Sequence, residues 1–193
     1  MDVPLSSPGP GRLSAADFHS WSTIATCVLA ASHRLTRGSR PVVADLDGTL
    51  TDPGHRRHHL ASSIPDWLAF SLAAKNDPPL LPEIEWLDSH SAERPVVIVS
   101  GRPSIAMQLT QSWLERHEVR WDAIVLRPPG DTVRGLEHKM RVLTALSELG
   151  IEPEFAFDDS SEARDAYEAR GVECRTLPGT TSPSFASNST PDL

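Results

Sequence analysis

Apolar residues in this chain gather in short unbroken runs that each end at a polar group, separated by stretches where they recur every three or four positions. The runs are Pro41 to Ala44, Pro95 to Val99, Trp121 to Leu126, Glu154 to Phe157 and Val172 to Leu177. Continuous β-branched and aromatic runs of this length predict parallel strands buried on both faces. Helical spacing appears in Phe18, Trp21, Ile24, Val28 and Leu29 behind the N-cap residue Ser14, predicting a helix to about Arg34. It appears again in Ile64, Trp67, Leu68, Phe70 and Leu72, and from Leu81 to Ser89 with Trp86 and Leu87 facing inward. Pro103 opens a helix carrying Ile105, Leu109, Trp113 and Leu114 to His117. Another surrounds His138 and Lys139 and runs to Leu149 on the stripe Met140, Leu143 and Leu146, and one more spans Ser161 to Arg170. Strands alternating with helices predict an α/β fold, a Rossmann-like parallel sheet flanked by helices.

The same pattern divides the chain. Residues 1–13 are rich in Pro, Gly and Ser and predict disorder, 14–40 a helix and linker, 41–177 the folded unit, and 178–193 a disordered tail. Between the first two strands of the unit only two short helices fit, broken at Asn76-Asp-Pro-Pro, so no separate cap domain is expected. The N-terminal helix is expected to pack on the sheet or to serve as a dimer face.

Composition narrows the setting. With 193 residues, 39% hydrophobic and 23% charged, one ordinary globular domain is expected. Cys27 and Cys174 lie far apart without metal-type spacing, which favours plain thiols and a cytoplasmic location. No run approaches the roughly 20 apolar residues of a membrane span, so no membrane partner is expected. A formal net charge of -8 opposes a long polyanionic partner, which Lys and Arg would have to hold, yet permits a small phosphorylated substrate or a strand end.

The polar groups that close the strands are the candidate chemistry. Asp45 and Asp47, one residue apart, follow the first run and are succeeded by Gly48, which permits an immediate turn, and by Thr49. Ser100, Gly101 and Arg102 close the second run, Arg127 the third, and the pair Asp158 and Asp159 the fourth. Ligands bind at such carboxyl ends in open α/β sheets. Two carboxylate pairs facing each other suit a hard cation such as Mg2+. After Thr51 comes a turn and the cationic run His55, Arg56, Arg57, His58 and His59, by itself readable as solvated surface.

Asp45-Leu-Asp47-Gly-Thr-Leu-Thr, Ser100-Gly-Arg102, Lys139 and Asp158-Asp159 together resemble the four motifs of the haloacid dehalogenase superfamily of phosphohydrolases. From Asp45 to Leu177 the chain is most similar to the phosphatase domain of bacteriophage-type polynucleotide kinase-phosphatases, through the Arg127-x-x-Gly-Asp-Thr loop ahead of Lys139 and the string Gly171-Val-Glu-Cys174. The resemblance implies that Asp45 is the nucleophile and Asp47 the general acid and base. It implies phosphate-binding roles for Thr49, Ser100, Gly101, Arg102, Arg127 and Lys139, and a Mg2+ site at Asp45, Asp158 and Asp159 with a backbone carbonyl of Asp47. It makes His55, Arg56 and Arg57 part of a flap over the substrate. Ser160 stands where the family often has Arg, and no Gly-x-x-x-x-Gly-Lys-Ser/Thr loop occurs, so the kinase half is not expected in this sequence.

The expected function is a Mg2+-dependent phosphomonoesterase acting through an aspartyl-phosphate, foremost on a nucleic-acid 3'-phosphate end. A nucleotidase acting on 5'- or 3'-mononucleotides is the alternative, and a non-catalytic binding module that keeps the fold is a further one.

Overall fold

The computed structural model describes residues 27–30, 34–128, 130–131 and 133–176. The expected disordered termini and most of the expected N-terminal helix lie outside these residues. Six strands form one sheet: β1 (Cys27–Ala30), β2 (Val42–Ala44), β3 (Val96–Pro103), β4 (Ala123–Arg127), β5 (Phe155–Phe157) and β6 (Glu173–Arg175). Their spatial order is β1-β4-β3-β2-β5-β6. β2 to β6 are parallel, and β1 runs antiparallel along β4, with Cys27 opposite Leu126 and Ala30 opposite Ala123.

β1 corrects one expectation. Val28 and Leu29, read as part of a helix ending near Arg34, lie in an extended strand. A four-residue apolar segment fits either period. The free backbone edge of β4, whose N–H and C=O groups need partners, settles it as strand.

Alternate residues of the buried strands face opposite ways, so each side of the sheet carries its own core. Val43, Val97, Val99, Val125 and Ala156 pack against α4 (Gly135–Glu148) and α5 (Ser161–Glu168) through Val142, Leu143, Leu146, Ala163 and Tyr167, with Met140 partly buried beside them. Val42, Ala44, Ile98, Ile124, Leu126 and Phe157 pack against α2 (Leu81–His90) and α3 (Met107–Arg116) through Ile84, Leu87, Trp113 and Leu114. The insertion between β2 and β3 holds a 3-10 turn, Gly54–Leu60, the helix α1 (Trp67–Ala73) capped by Asp66, and α2; it forms no separate domain. Of the apolar positions expected on α1, Phe70 is buried, whereas Ile64, Trp67, Leu68 and Leu72 are exposed. Among the described residues no helix is long and apolar enough to cross a membrane.

Cys174 on β6 is a free, buried thiol. Burial, reinforced by Asp158 and opposed by Arg164, pushes it up to about 12. The reactive thiolate is then ~10^3-fold scarcer than in an exposed cysteine at neutral pH. Iodoacetamide at pH 7.5 is expected to leave Cys174 unmodified in the folded protein and to alkylate it in guanidinium chloride, as read by peptide mass mapping.

Candidate active site

Four adjacent parallel strands deliver the expected residues to one end of the sheet: Arg127 closes β4, Ser100 to Arg102 lie near the carboxyl end of β3, Asp45 follows β2 and Asp158 follows β5. β3 shifts register against β4 between Val99 and Pro103, a bulge that lifts Gly101 out of the ladder. The Asp45 N–H donates to the carbonyl of Phe157 at 2.9 Å, which locks the nucleophile candidate beside the next strand end. Oxygens of Asp45, Asp158 and Asp159 lie within 4.8 Å of one another. Lys139, one turn into α4, donates to Asp158 Oδ2 at 2.6 Å and stands 3.4 Å from Asp45 Oδ2.

This cluster holds three carboxylates and one cation in a buried place, which sets its electrostatics. Burial pushes the Asp45 carboxyl up, to about 8, against the pull of Lys139, and Asp158, Asp159 and Asp47 add to the rise. Burial with Asp158 also raises Asp159. Lys139 is held well above the usual lysine range: burial works against its charge, and Asp45 and Asp158 outweigh it. Three convergent hard oxygens with surplus negative charge fit a divalent cation.

The turn after Asp45 depends on one glycine. Gly48 has φ +97°, and a Cβ there would stand 2.3 Å from Asp159 Oδ2. Glycine thus serves both the backbone conformation and the close approach of Asp159. Thr49 is buried with its hydroxyl on Asp159: it accepts from the Asp159 N–H at 3.0 Å and lies 3.4 Å from Oδ1.

Asp47 turns away from the carboxylate cluster. Its Oδ1 accepts from Arg102 Nε (3.0 Å) and Nη2 (2.5 Å), Arg56 Nη2 (2.7 Å) and Thr51 Oγ1 (3.1 Å). Burial opposes its charge, but Arg102 and then Arg56 hold the carboxyl well below the usual carboxylate range. Ser100 is buried, its Oγ accepting from the Arg102 N–H at 3.3 Å.

The cationic run divides. Arg56, read from sequence as a flap cation, is fully buried between Asp47 and Asp77, with its guanidinium 4.0 Å from the Phe70 ring centroid. The 3-10 turn and α1 fold it inward, where two carboxylates and an aromatic face offset the cost of taking its charge out of water. His55 points the same way and meets Asp77 Oδ1 at 2.9 Å, whereas His58 stays exposed and Arg57 is half-buried. Arg102 likewise gives its guanidinium to Asp47 and Asp77.

Arg127 is different. No carboxylate lies within ion-pair distance of it among the described residues, and its guanidinium sits 3.5 Å from where a Cβ on Gly101 or Gly135 would be. It therefore lies between the Ser100-Gly101 turn and the start of α4. Burial lowers it from the usual arginine value, Asp131 opposing. Neighbouring His138, buried, is held neutral: burial and then Arg127 lower it to about 4.

Sequence reasoning passed over Asp77. It lies in Asn76-Asp-Pro-Pro, an ordinary turn composition, and only its tertiary partners reveal it.

No protein-family profile matches the chain, and no curated protein matches it. Solved structures do. A Pnkp1/Rnl/Hen1 RNA repair complex aligns over 77% of this chain and 45% of its own, with TM-score 0.58 and 21% identity; this chain thus spans less than half of that one. A HAD-like phosphatase of Mesorhizobium loti aligns over 77% of each chain (TM-score 0.53, 14% identity). A class C acid phosphatase of Bacillus anthracis, with tungstate bound, aligns over 74% of this chain and 68% of its own (TM-score 0.51, 18% identity). The chain has the haloacid dehalogenase-type fold.

Proposed function

We propose that the protein is a divalent-metal-dependent phosphomonoesterase that works through a phosphorylated Asp45 and acts on a nucleic-acid 3'-phosphate. The observation that carries the chemistry is the pairing of two carboxylates at one strand end, Asp45 buried and Asp47 half-buried, in different surroundings. Asp45 faces Lys139, Asp158 and Asp159, while Asp47 is held by guanidinium groups on the other side of the turn. By position, Asp45 beside the Lys139 cation is placed to attack, and Asp47, two residues on across the Gly48 turn, to handle protons.

Asp45 Oδ attacks phosphorus as the bond to the leaving oxygen breaks; that oxygen keeps the electron pair and takes a proton from Asp47. Asp47 then accepts a proton from the water that attacks the phosphoryl group, freeing Asp45 and inorganic phosphate. Lys139 offsets the charge of Asp45 and of the incoming phosphate. The Ser100 hydroxyl and the Arg127 guanidinium, adjacent across Gly101, receive the remaining phosphoryl oxygens. Asp45, Asp158 and Asp159 would hold Mg2+, which when bound neutralises charge on the phosphoryl oxygens.

The small insertion leaves the strand ends without a cap domain, which suits the end of a polymer, and the similar RNA repair complex supports the same choice. The net charge of -8 favours a mononucleotide instead. Phosphate release from a 3'-phosphorylated oligonucleotide is expected to exceed that from free 3'- and 5'-mononucleotides at equal concentration. Preference for the mononucleotides would overturn the polynucleotide assignment. Activity is expected to vanish in chelator and to return with Mg2+, and only weakly with Ca2+, whose longer bonds and higher ligand count loosen the attack geometry. Full turnover in chelator would remove the metal from the reading.

A further inference from the structure

We propose that a cleft at the amino ends of β2, β3 and β5 binds a compact anion bearing several phosphoryl groups, a triphosphate chain, at a second site apart from the carboxylate cluster.

The cleft measures about 540 Å3, within the roughly 300–1,000 Å3 usual for small-ligand sites. Its walls come from segments that lead into three strands: 34–40 before β2, 93–95 before β3 and Glu154 before β5. Asp45, Ser100 and Asp158 lie at the other ends of these strands. Arg34, Arg37, Arg40 and Arg94 line the cleft against only two carboxylates, Glu93 and Glu154. In a chain of net charge -8 this local excess of cations runs against the overall balance, and it favours an anion.

How the cations are held points to a ligand. Glu154 is shared: its Oε2 accepts from Arg40 Nε at 2.5 Å, and its Oε1 stands 3.9 Å from Arg94 Nη2. One carboxylate thus serves two guanidinium groups, and Arg40 stays exposed and Arg94 half-buried, with donors left for a further acceptor. Among the described residues no acid lies within ion-pair distance of Arg37. Its side chain lies over Gly150 instead, with Nη1 3.1 Å and Cγ 3.2 Å from where a Cβ there would stand. Gly150 has φ +70°, so glycine serves both the turn and the seat. Packing places this guanidinium and leaves its charge uncompensated.

The frame is built beforehand. The Gly38 N–H donates to the Gly150 carbonyl at 2.7 Å and the Glu152 N–H to the Ser39 carbonyl at 3.2 Å, which ties the first wall to the residues ahead of β5. Arg34 Nη2 donates to the Arg94 carbonyl at 3.0 Å while its Nη1 stands 3.7 Å from Asp122 Oδ2, so Arg34 is a strut between the first wall and the second. Arg37, Arg40 and Arg94 are therefore carried on fixed backbone, and an anion that bridges them orders little else on binding. Guanidinium groups match phosphate oxygens with paired donors. Among the described residues no aromatic side chain lines the cleft, so it recognises the phosphate chain rather than a base.

The test is calorimetric titration of the metal-free protein with tripolyphosphate at about 0.15 M salt, where a Debye length of about 8 Å screens distant charges. Without metal the carboxylates of Asp45, Asp158 and Asp159 disfavour an anion, so the arginine cleft is measured by itself. The expected result is saturable binding at one site, weakened by about 10-fold or more when Arg37→Gln is combined with Arg94→Gln. Arg116→Gln with Arg170→Gln removes the same charge from exposed positions elsewhere and should bind as the parent does. ATP should bind no more tightly than tripolyphosphate, and kcat of the Arg37, Arg94 variant on p-nitrophenyl phosphate with Mg2+ should match the parent's. Absence of saturable binding, equal losses in the two double variants, tighter binding of ATP or a fall in kcat would each overturn the proposal. The titration needs no turnover, so this site and the phosphatase reading fail separately. Should the Arg37, Arg94 variant fail to fold by circular dichroism, Arg37→Gln alone, at an exposed position, decides by the same comparison.

Discussion

Asp45→Asn is expected to lower kcat on any phosphate ester by about 10^4-fold or more, because the amide oxygen cannot form the acyl-phosphate. The fold should survive, and its pH response identifies the residue independently of turnover. Asp45 has a folded value of about 8 against 3.8 for an unperturbed aspartate. A carboxyl raised on folding stabilises the protein fully below its unfolded value, and that contribution is lost as pH rises through the folded one. The metal-free parent should therefore lose stability between about pH 4 and pH 8 by this route. Asp45→Asn, which carries no charge to bury, should lack that component and melt at an equal or higher temperature at pH 8. A variant that keeps the parent's turnover would end the covalent mechanism.

Gly48→Ala is expected to damage stability and chemistry together. The backbone there has φ +97°, costly for any residue with a Cβ, and the added carbon would meet Asp159 Oδ2 at 2.3 Å and its Cγ at 2.8 Å. Asp159 cannot give way freely, since its N–H is bonded to Thr49 Oγ1 and its oxygens belong to the carboxylate cluster. Strain of about 2 kcal/mol corresponds to a melting temperature lower by about 4–8 °C in a domain of this size. Displacing Asp159 should weaken the half-saturating Mg2+ concentration for activity by about 10- to 100-fold. A Mg2+ titration unchanged from the parent would show that Asp159 contributes nothing to the metal.

The sheet was legible because its strands are buried on both faces: Val42 to Ala44, Val96 to Val99 and Phe155 to Phe157 have no solvent side, so no polar residue interrupts them. Asp45, Ser100, Arg127 and Asp158 were legible as the first polar groups after such runs. Lys139 required the family pattern, since nothing local distinguishes it from a surface lysine. Cys27 to Ala30 misled because Phe18, Trp21, Ile24 and Val28 continue a helical rhythm into it; its pairing with β4 is a contact that no local pattern encodes. Arg56 and Asp77 were hidden for the same reason. A charged run reads as surface and an Asn-Asp-Pro-Pro string reads as a turn, and each changes meaning only when the insertion brings them within 2.7 Å.

β1 also constrains the order in which the chain can be built. It leaves the ribosome before β2 to β6, yet among the described residues its only strand neighbour is β4, and β4 itself rests on β3. Closing Cys27 against Leu126 encloses both β2 and β3 in the loop, an entropic cost that only an assembled β3–β4 pair offsets. During synthesis β1 therefore waits with an open hydrogen-bonding edge, and it is this segment, rather than the turn after Asp45, that a nascent-chain chaperone would be expected to shield.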